Sequence, residues 1–386
     1  MKFTCSVQDL KEALAIVVKA LNSNMKVGIL EGILIETDSQ RIRMRATDQA
    51  ISINSECAAN ISAIGGTVVP GKLFHEMINS LPVSRLEEQE KDGETVAVAV
   101  PNELSFAADG GKVAVRCNRT RLNLSAWDAD KFPQTPAPNE KTEIELPAAR
   151  VRELIQRTSF SISGDEARPV LTGALLEIEG GVMRMVALDG FRLAMHETRL
   201  DADTGKPVKV IIPKKALDEL SRVLAQEDAD VGVVLDSKYA AFTVGESHIV
   251  TRLLEGEFMN FRQIIPSSSV TYATADKKTL QEVIQRAAVV SRHSQNNLIS
   301  FSFDEDGLTV TSNAEQNDIE ETMNLNVFSG KPLKIAFNVQ YIIEVLRVID
   351  SQTVDLSFQS SFNPCLITPG DGSGSKFIVL PVRVYQ

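Results

Sequence analysis

With 386 residues, 43% of them hydrophobic, and a formal net charge of −11, the chain is long enough for two or three domains of roughly 100 to 200 residues, each with its own core. Its acidic balance at first argues against nucleic acid, since phosphate binding needs local positive potential, although the distribution of charge outranks the sum. No window approaches the roughly 20 apolar residues of a membrane span, and Met1-Lys2-Phe3-Thr4 lacks a signal peptide's apolar run, so a cytoplasmic location is expected. Cys5, Cys57, Cys117 and Cys365 are too scattered for a zinc knuckle or a disulfide framework, and the four histidines show no ligand spacing; no metal site and no cofactor are expected.

In chain order, Leu10, Leu14, Val17, Val18 and Leu21 recur at helical spacing from Asp9 to Leu21. Gly32 to Glu36 then predicts a strand that turns at Asp38-Ser39 and returns through Arg41-Ile42-Arg43-Met44-Arg45. Its period-2 alternation predicts one buried and one exposed face. A second helix is predicted over Pro70 to Leu81, a solvated loop over the charged stretch Ser84 to Thr95, and a strand over Val96 to Val100. The proline-rich run Phe132 to Pro138 reads as a linker.

The same unit then recurs. A helix from Pro147 to Ser161 carries Val151, Leu154, Ile155 and Thr158 on one face; Gly173 to Glu177 is followed by a Gly180-Gly181 turn and a return to Val186. Another turn at Asp189-Gly190 lifts Phe191 and Arg192 between two apolar runs, and Pro213 to Leu224 is again helical. Gly32 to Gly173 and Asp48 to Asp189 are both 141 residues apart. After a Pro-Ser break at Ile265 to Ser269, a third copy has helices at Asp276 to Ser291 and Asn338 to Ile349, with a hairpin turning at Asp306-Gly307 between them. A final strand is expected over Phe377 to Val382, lying beside the Asp189 turn. Three α+β units follow, each with two helices and antiparallel sheet.

Two tempting motifs weaken on their chemistry. Gly66 to Lys72 has the spacing of a phosphate-binding loop, but Leu73 replaces the magnesium-binding hydroxyl and Pro70 has no N–H to offer. Asp189, Arg192 and His196 suggest an acid/base group, yet strand geometry separates His196 from the turn and no nucleophile accompanies them. A binding protein is therefore favoured over an enzyme. The helices carry a basic bias, with Arg150, Arg152 and Arg157 against Glu153, and Lys214, Lys215 and Arg222 against Asp218 and Glu219. Such faces suit a polyanion held without base readout.

Almost end to end, the sequence resembles the bacterial sliding clamps, the beta subunits of DNA polymerase III. The resemblance rests on Asp189-Gly190-Phe191-Arg192-Leu193-Ala194, on Ala336-Phe337-Asn338-Val339-Gln340-Tyr341 and on the Leu380-Pro381-Val382-Arg383 ending. It implies three clamp domains, at 1–138, 139–267 and 268–386, and two protomers joined head to tail in a ring around double-stranded DNA. It also implies a non-catalytic role in DNA replication, with no cofactor.

The implied partners are the replicative polymerase, the clamp loader, and repair and translesion polymerases, each docking a short linear motif between the second and third domains. The implied pocket comprises Leu171, Leu188, Gly190, Phe191, Arg192, Leu193, Ile264, Asn338, Tyr341, Phe362, Pro364, Ile378, Val379, Leu380, Pro381, Val382 and Arg383, with Arg192, Asn338 and Arg383 bonding the peptide backbone. Phe191 and Met259 stand where some relatives have His and Pro, and Asn24 replaces an Arg of the DNA-facing loop. Lys72, Arg150, Arg168, Lys214 and Lys215 are the expected phosphate contacts. For the dimer interface the resemblance points to Leu122 and Leu124 against Val289 and Val290, with Arg119 and Arg121 facing Glu315, Asp318, Glu320 and Glu321. A protein-binding scaffold that never encloses DNA and, more weakly, a nucleotide-dependent enzyme built on the Gly66 to Lys72 loop remain the alternatives.

Overall fold

The computed structural model describes residues 1–21, 28–91, 94–139, 142–200, 205, 207–225, 229–294, 297–314 and 317–383. The six α-helices among them are α1 (Val7–Val17), α2 (Gly71–Ser80), α3 (Ala148–Thr158), α4 (Lys214–Leu224), α5 (Lys277–Ser291) and α6 (Val339–Arg347). Their starts are written locally. Ser6, Asp276 and Asn338 accept the N–H groups of Asp9, Thr279 and Gln340, satisfying donors that a helix leaves unpaired at its first turn. Of the predicted apolar stripes, Leu10, Leu14 and Val17 in α1 and Leu280, Val283, Ile284 and Ala287 in α5 are buried, while Val18 and Leu21 lie past the end of α1 and are half-buried. Burying each such side chain stabilises by about 1.5–3 kcal/mol. α1 packs on α2, and α5 on α6.

The chain packs as two compact units, Met1–Ala148 with Glu219–Leu253, and Ala149–Asp218 with Leu254–Gln386. The middle repeat is divided between them because its strands complete sheets begun by its neighbours. In the first unit an eight-stranded sheet carries Ser247–Arg252 of the middle repeat hydrogen-bonded to Ile51–Ala58 of the first. In the second unit a nine-stranded sheet joins Arg192–Arg199 of the middle repeat to Ser375–Val379 of the third. A five-stranded sheet ends at Thr120–Ser125, and a four-stranded sheet ends at Asn317–Met323. Every described strand pairing is antiparallel.

Three expectations are corrected. The strand Gly32–Thr37 is buried on both faces, because Phe132 returns from the linker to pack on Leu34 and Val68. The charged stretch after Ser84 is no loop: Ser84–Lys91 pairs with Glu94–Pro101 as a hairpin, since a ribbon needs only backbone pairing and tolerates exposed side chains such as Arg85 and Leu86. The last strand stops at Val379, short of the expected Val382. Pro381 has no N–H for a ladder, and the chain then crosses to another sheet.

Candidate partner-peptide site

Val182–Leu188 and Arg192–Arg199 form a hairpin in which Leu188 pairs with Leu193. Asp189 builds its turn, its Oδ1 accepting the N–H groups of Phe191 at 2.9 Å and Arg192 at 3.0 Å while its own N–H donates to Arg192 O at 3.2 Å. Gly190 takes φ +95°, a region that side chains disfavour, and a Cβ there would come within 3.0 Å of Arg168 Nη1. The turn thus places Phe191 in water, 58% exposed, above a floor that is almost dry.

That floor is one apolar cluster of the second unit: Leu171, Leu188, Leu193 and Ile378 with Leu175, Val186, Met195, Ile211, Phe258 and Phe261, edged by Ile264. Residues far apart in sequence meet here because Ile378 pairs with Leu193 and Val379 with Arg192. Beyond Val379, Leu380 donates its N–H to Phe191 O at 2.9 Å and Val382 donates to Ala336 O at 2.8 Å. Ala336 lies in Leu333–Asn338, so the C-terminal segment straps the nine-stranded sheet to the four-stranded one. Leu380 keeps 38% of its surface exposed, beside Pro381 and Val382, which are half-buried, and Arg383, which is exposed.

α6 supplies the facing wall. The Phe191 ring stacks on Tyr341 with centroids 6.3 Å apart and planes 20° from parallel. Burial raises the Tyr341 phenol above its ordinary pKa, with the charge of Asp189 adding to the effect. Phe362 stands 72% exposed in the loop before Cys365, whose pairing with Val379 brings Pro364, half-buried, to the same end of the sheet. Two of the polar residues expected to bond a peptide backbone already have partners within the chain. Arg192 donates to Asp189, Glu344 and the carbonyl of Phe160, and Asn338 uses its side-chain oxygen to cap α6. Glu344 and Phe160 were missed in the sequence; the only local signal for Glu344 is its place one turn beyond Tyr341.

His196 lies apart from the turn. It is buried, with Nδ1 sharing a hydrogen bond of 2.8 Å with Ser375 Oγ and Nε2 standing 3.6 Å from Glu153. Burial holds its pKa below the ordinary value, against the pull of Glu153. Gly65–Pro70 is a strand running straight into α2, with the Val68 N–H donated to Trp127 O, so Gly66 to Lys72 offers no phosphate cradle. All four cysteines are buried and unpaired, and burial pushes Cys57 up to about 12. Among the described residues no group of three or more His, Cys, Asp or Glu is placed to hold a metal.

The expected phosphate contacts are not alike. Lys72 on α2 and Arg150 on α3 are exposed, Arg150 with Glu153 at 3.7 Å. Lys214 is held 3.1 Å from both oxygens of Asp218, and Lys215 is half-buried. Arg168 braces the Asp189 turn, donating to Asp165 at 3.0 Å and to Asp189 O at 3.3 Å. Lys72 belongs to the first unit and the other four to the second.

Of the expected dimer residues, Arg119 and Arg121 are exposed, Leu124 is buried in its own sheet, and Leu122 lines an apolar hollow with Met77, Ile78 and Leu81. Val289 is 60% exposed on α5 and Val290 half-buried. Glu321 is already paired, accepting two hydrogen bonds of 2.6 Å from Arg286 that lower its pKa. Asp318 and Glu320 are exposed, while Asn24, Glu315 and the Val384 to Gln386 tail lie outside the described residues.

Comparison with known proteins matches the chain along nearly its whole length. Residues 1–136, 145–260 and 262–383 match the N-terminal, central and C-terminal domains of the DNA polymerase III beta subunit. The beta sliding clamps of Staphylococcus aureus and Bacillus subtilis are 29% and 28% identical, each over the full length of both chains. Over 100% of both chains, the Bacillus subtilis sliding clamp superposes with a TM-score of 0.91 at 27% identity. The Pseudomonas aeruginosa clamp bound to griselimycin does so with a TM-score of 0.91 at 26% identity. Three successive domain matches, in order and nearly end to end, leave one conclusion: the chain belongs to the DNA polymerase III beta subunit family, the bacterial beta sliding clamps.

Proposed function

We propose that this sliding clamp, a non-catalytic processivity factor of DNA replication, holds its partners by a short peptide seated on the Leu171, Leu188, Leu193 and Ile378 floor. The observation that carries the reading is the combination of a dry apolar floor with exposed apolar rims, Phe191, Leu380 and Phe362, on one unit. Linear segments of the replicative polymerase, the clamp loader, and repair and translesion polymerases are its occupants. The remaining pocket residues, from Gly190 and Ile264 to Pro364 and Arg383, shape its edges.

In this reading the domains are 1–138, 139–267 and 268–386, and two copies close head to tail into a ring around double-stranded DNA in the cytoplasm. Two features support the closure. Thr120–Ser125 and Asn317–Met323 are edge strands with unpaired backbone groups, and Leu122 and Val289 offer apolar surface beside them. The exposed Lys72 and Arg150 act on phosphates by charge alone, which permits sliding. Leu122→Asp is expected to give monomers by light scattering; an unchanged dimer mass would remove that interface.

The first experiment is a fluorescence titration of a labelled Gln-x-x-Leu-Phe peptide against the full chain and a form ending at Val379. Saturable binding lost on truncation supports the pocket; equal binding to both forms, or to neither, overturns it. Retention on circular but not linear DNA after loading separates a clamp from a scaffold that never encloses DNA.

A further inference from the structure

We propose that Glu344 is a positioning residue for the peptide pocket, holding through Arg192 the turn that carries Phe191; the proposal rests on the pocket reading above. The Arg192 side chain is only 10% exposed. Its Nε donates to Asp189 Oδ2 at 3.0 Å, its Nη2 to Phe160 O at 2.8 Å and its Nη1 to the Glu344 carboxylate. Its guanidinium carbon lies 4.7 Å from the centre of the Tyr341 ring and 5.4 Å from that of Phe160. Glu344 in turn accepts from Gln340 Nε2 at 3.2 Å on the same helix.

Each part of this arrangement constrains the next. Asp189 already accepts the two backbone N–H groups that define the turn, so it cannot follow Arg192 elsewhere without opening that turn. Glu344 is the one carboxylate that reaches Arg192 from α6, the helix that also carries Tyr341. The ion pair therefore ties the turn to the helix on which the Phe191 ring stacks. Phe191 O receives the Leu380 N–H, so the tie extends to the C-terminal strap. Removing Glu344 leaves a poorly hydrated guanidinium short of one partner, and such a charge moves toward water rather than stay. Phe191 and Leu380, the exposed rims, would then lose their common register.

The test is the labelled Gln-x-x-Leu-Phe peptide titrated against full-length wild type, Glu344→Ala, Arg192→Met and the double variant. Glu344→Gln, closest in shape, is the second variant should Glu344→Ala fold poorly. Glu344→Ala is expected to weaken binding by about tenfold or more, with Glu344→Gln between it and wild type. The double variant is expected to be no weaker than the worse single one, because both act through one bond. Additive losses would overturn the proposal. So would a Glu344→Ala protein that melts earlier yet binds as wild type well below its melting range, since Glu344 would then be structural only. A wild type that fails to bind removes the pocket and this proposal together, whereas a binding wild type with an unaffected Glu344→Ala removes this proposal alone.

Discussion

The turns at Asp48 and Asp189 are the same backbone used twice. Asp48 Oδ1 accepts the N–H groups of Ala50 at 3.0 Å and Ile51 at 2.9 Å, and the Asp48 N–H donates to Ile51 O at 3.2 Å, matching the Asp189 turn bond for bond. Gln49 takes φ +73° where Gly190 takes +95°. Arg252 donates its N–H to Ala50 O at 2.9 Å, as Leu380 does to Phe191 O. The floors differ. Where the second turn rests on the pair Leu188 and Leu193, the first rests on Thr47 and Ser52, both buried. Ser52 Oγ donates to Thr47 Oγ1 at 2.8 Å, and Thr47 Oγ1 to Ile51 O at 2.9 Å. A hydroxyl network satisfied by its own chain offers an apolar peptide nothing, because covering it yields no hydrophobic gain and breaking it costs hydrogen bonds. The scaffold is thus common property, and in the proposed reading side chains alone make one copy a binding site.

The comparison breaks most severely if the second floor is rewritten as the first. Leu188→Thr with Leu193→Ser removes two buried side chains from the apolar cluster and is expected to destabilise the second unit by about 3–5 kcal/mol, read by denaturant unfolding, and to abolish peptide binding. The next effect comes from the turn itself. Gly190→Ala meets both a positive φ and the Arg168 guanidinium, and should cost about 1–3 kcal/mol, whereas Gln49→Gly should stay within about 1 kcal/mol of wild type because Gln49 already tolerates its φ. Equal losses at the two positions would mean that the turns are not mechanically equivalent.

A pH difference sharpens the same contrast. His196 pairs across the strands with Ser375 at the second joint, where the first joint has Ser55 paired with Ser247. Burial depresses the folded pKa of His196, with Arg157 acting in the same direction and Glu153 and Glu197 opposing. The unfolded chain therefore takes up this proton first. Stability is full above the ordinary histidine value of about 6.5 and is lost as pH falls through the lower folded value. His196→Gln is expected to flatten this slope in melts between about pH 7 and 5. The smallest effect belongs to the first joint's ion pair between Arg41 and Glu246, which is half open to water; Glu246→Gln should leave the melting midpoint within error.

Much of the fold was legible because it is written in short-range order. The 3.6-residue stripes of α1 and α5, the caps at Asp276 and Asn338, and the turn chemistry of Asp189-Gly190 depend only on neighbours. The hairpin at 84–101 was misread because its charged side chains obscured a pairing made by the backbone. The within-chain partners of Arg192 were not legible, because Glu344 and Phe160 reach it only in the packed chain, and the cap that Asn338 makes is one of several bonds its amide can form.

By itself the sequence determined the repeated units and the 141-residue spacing of their turns, since these follow from periodicity and local hydrogen bonding, while the residues of the proposed pocket floor came from the family resemblance. Only the tertiary structure decided that the middle repeat's strands complete its neighbours' sheets, that the last strand ends at Val379, and that Arg192 meets Glu344, 152 residues away. Edge-strand pairing and ion-pair partners are chosen by whichever groups the packed chain brings together, and no window of local sequence contains both halves of such a choice.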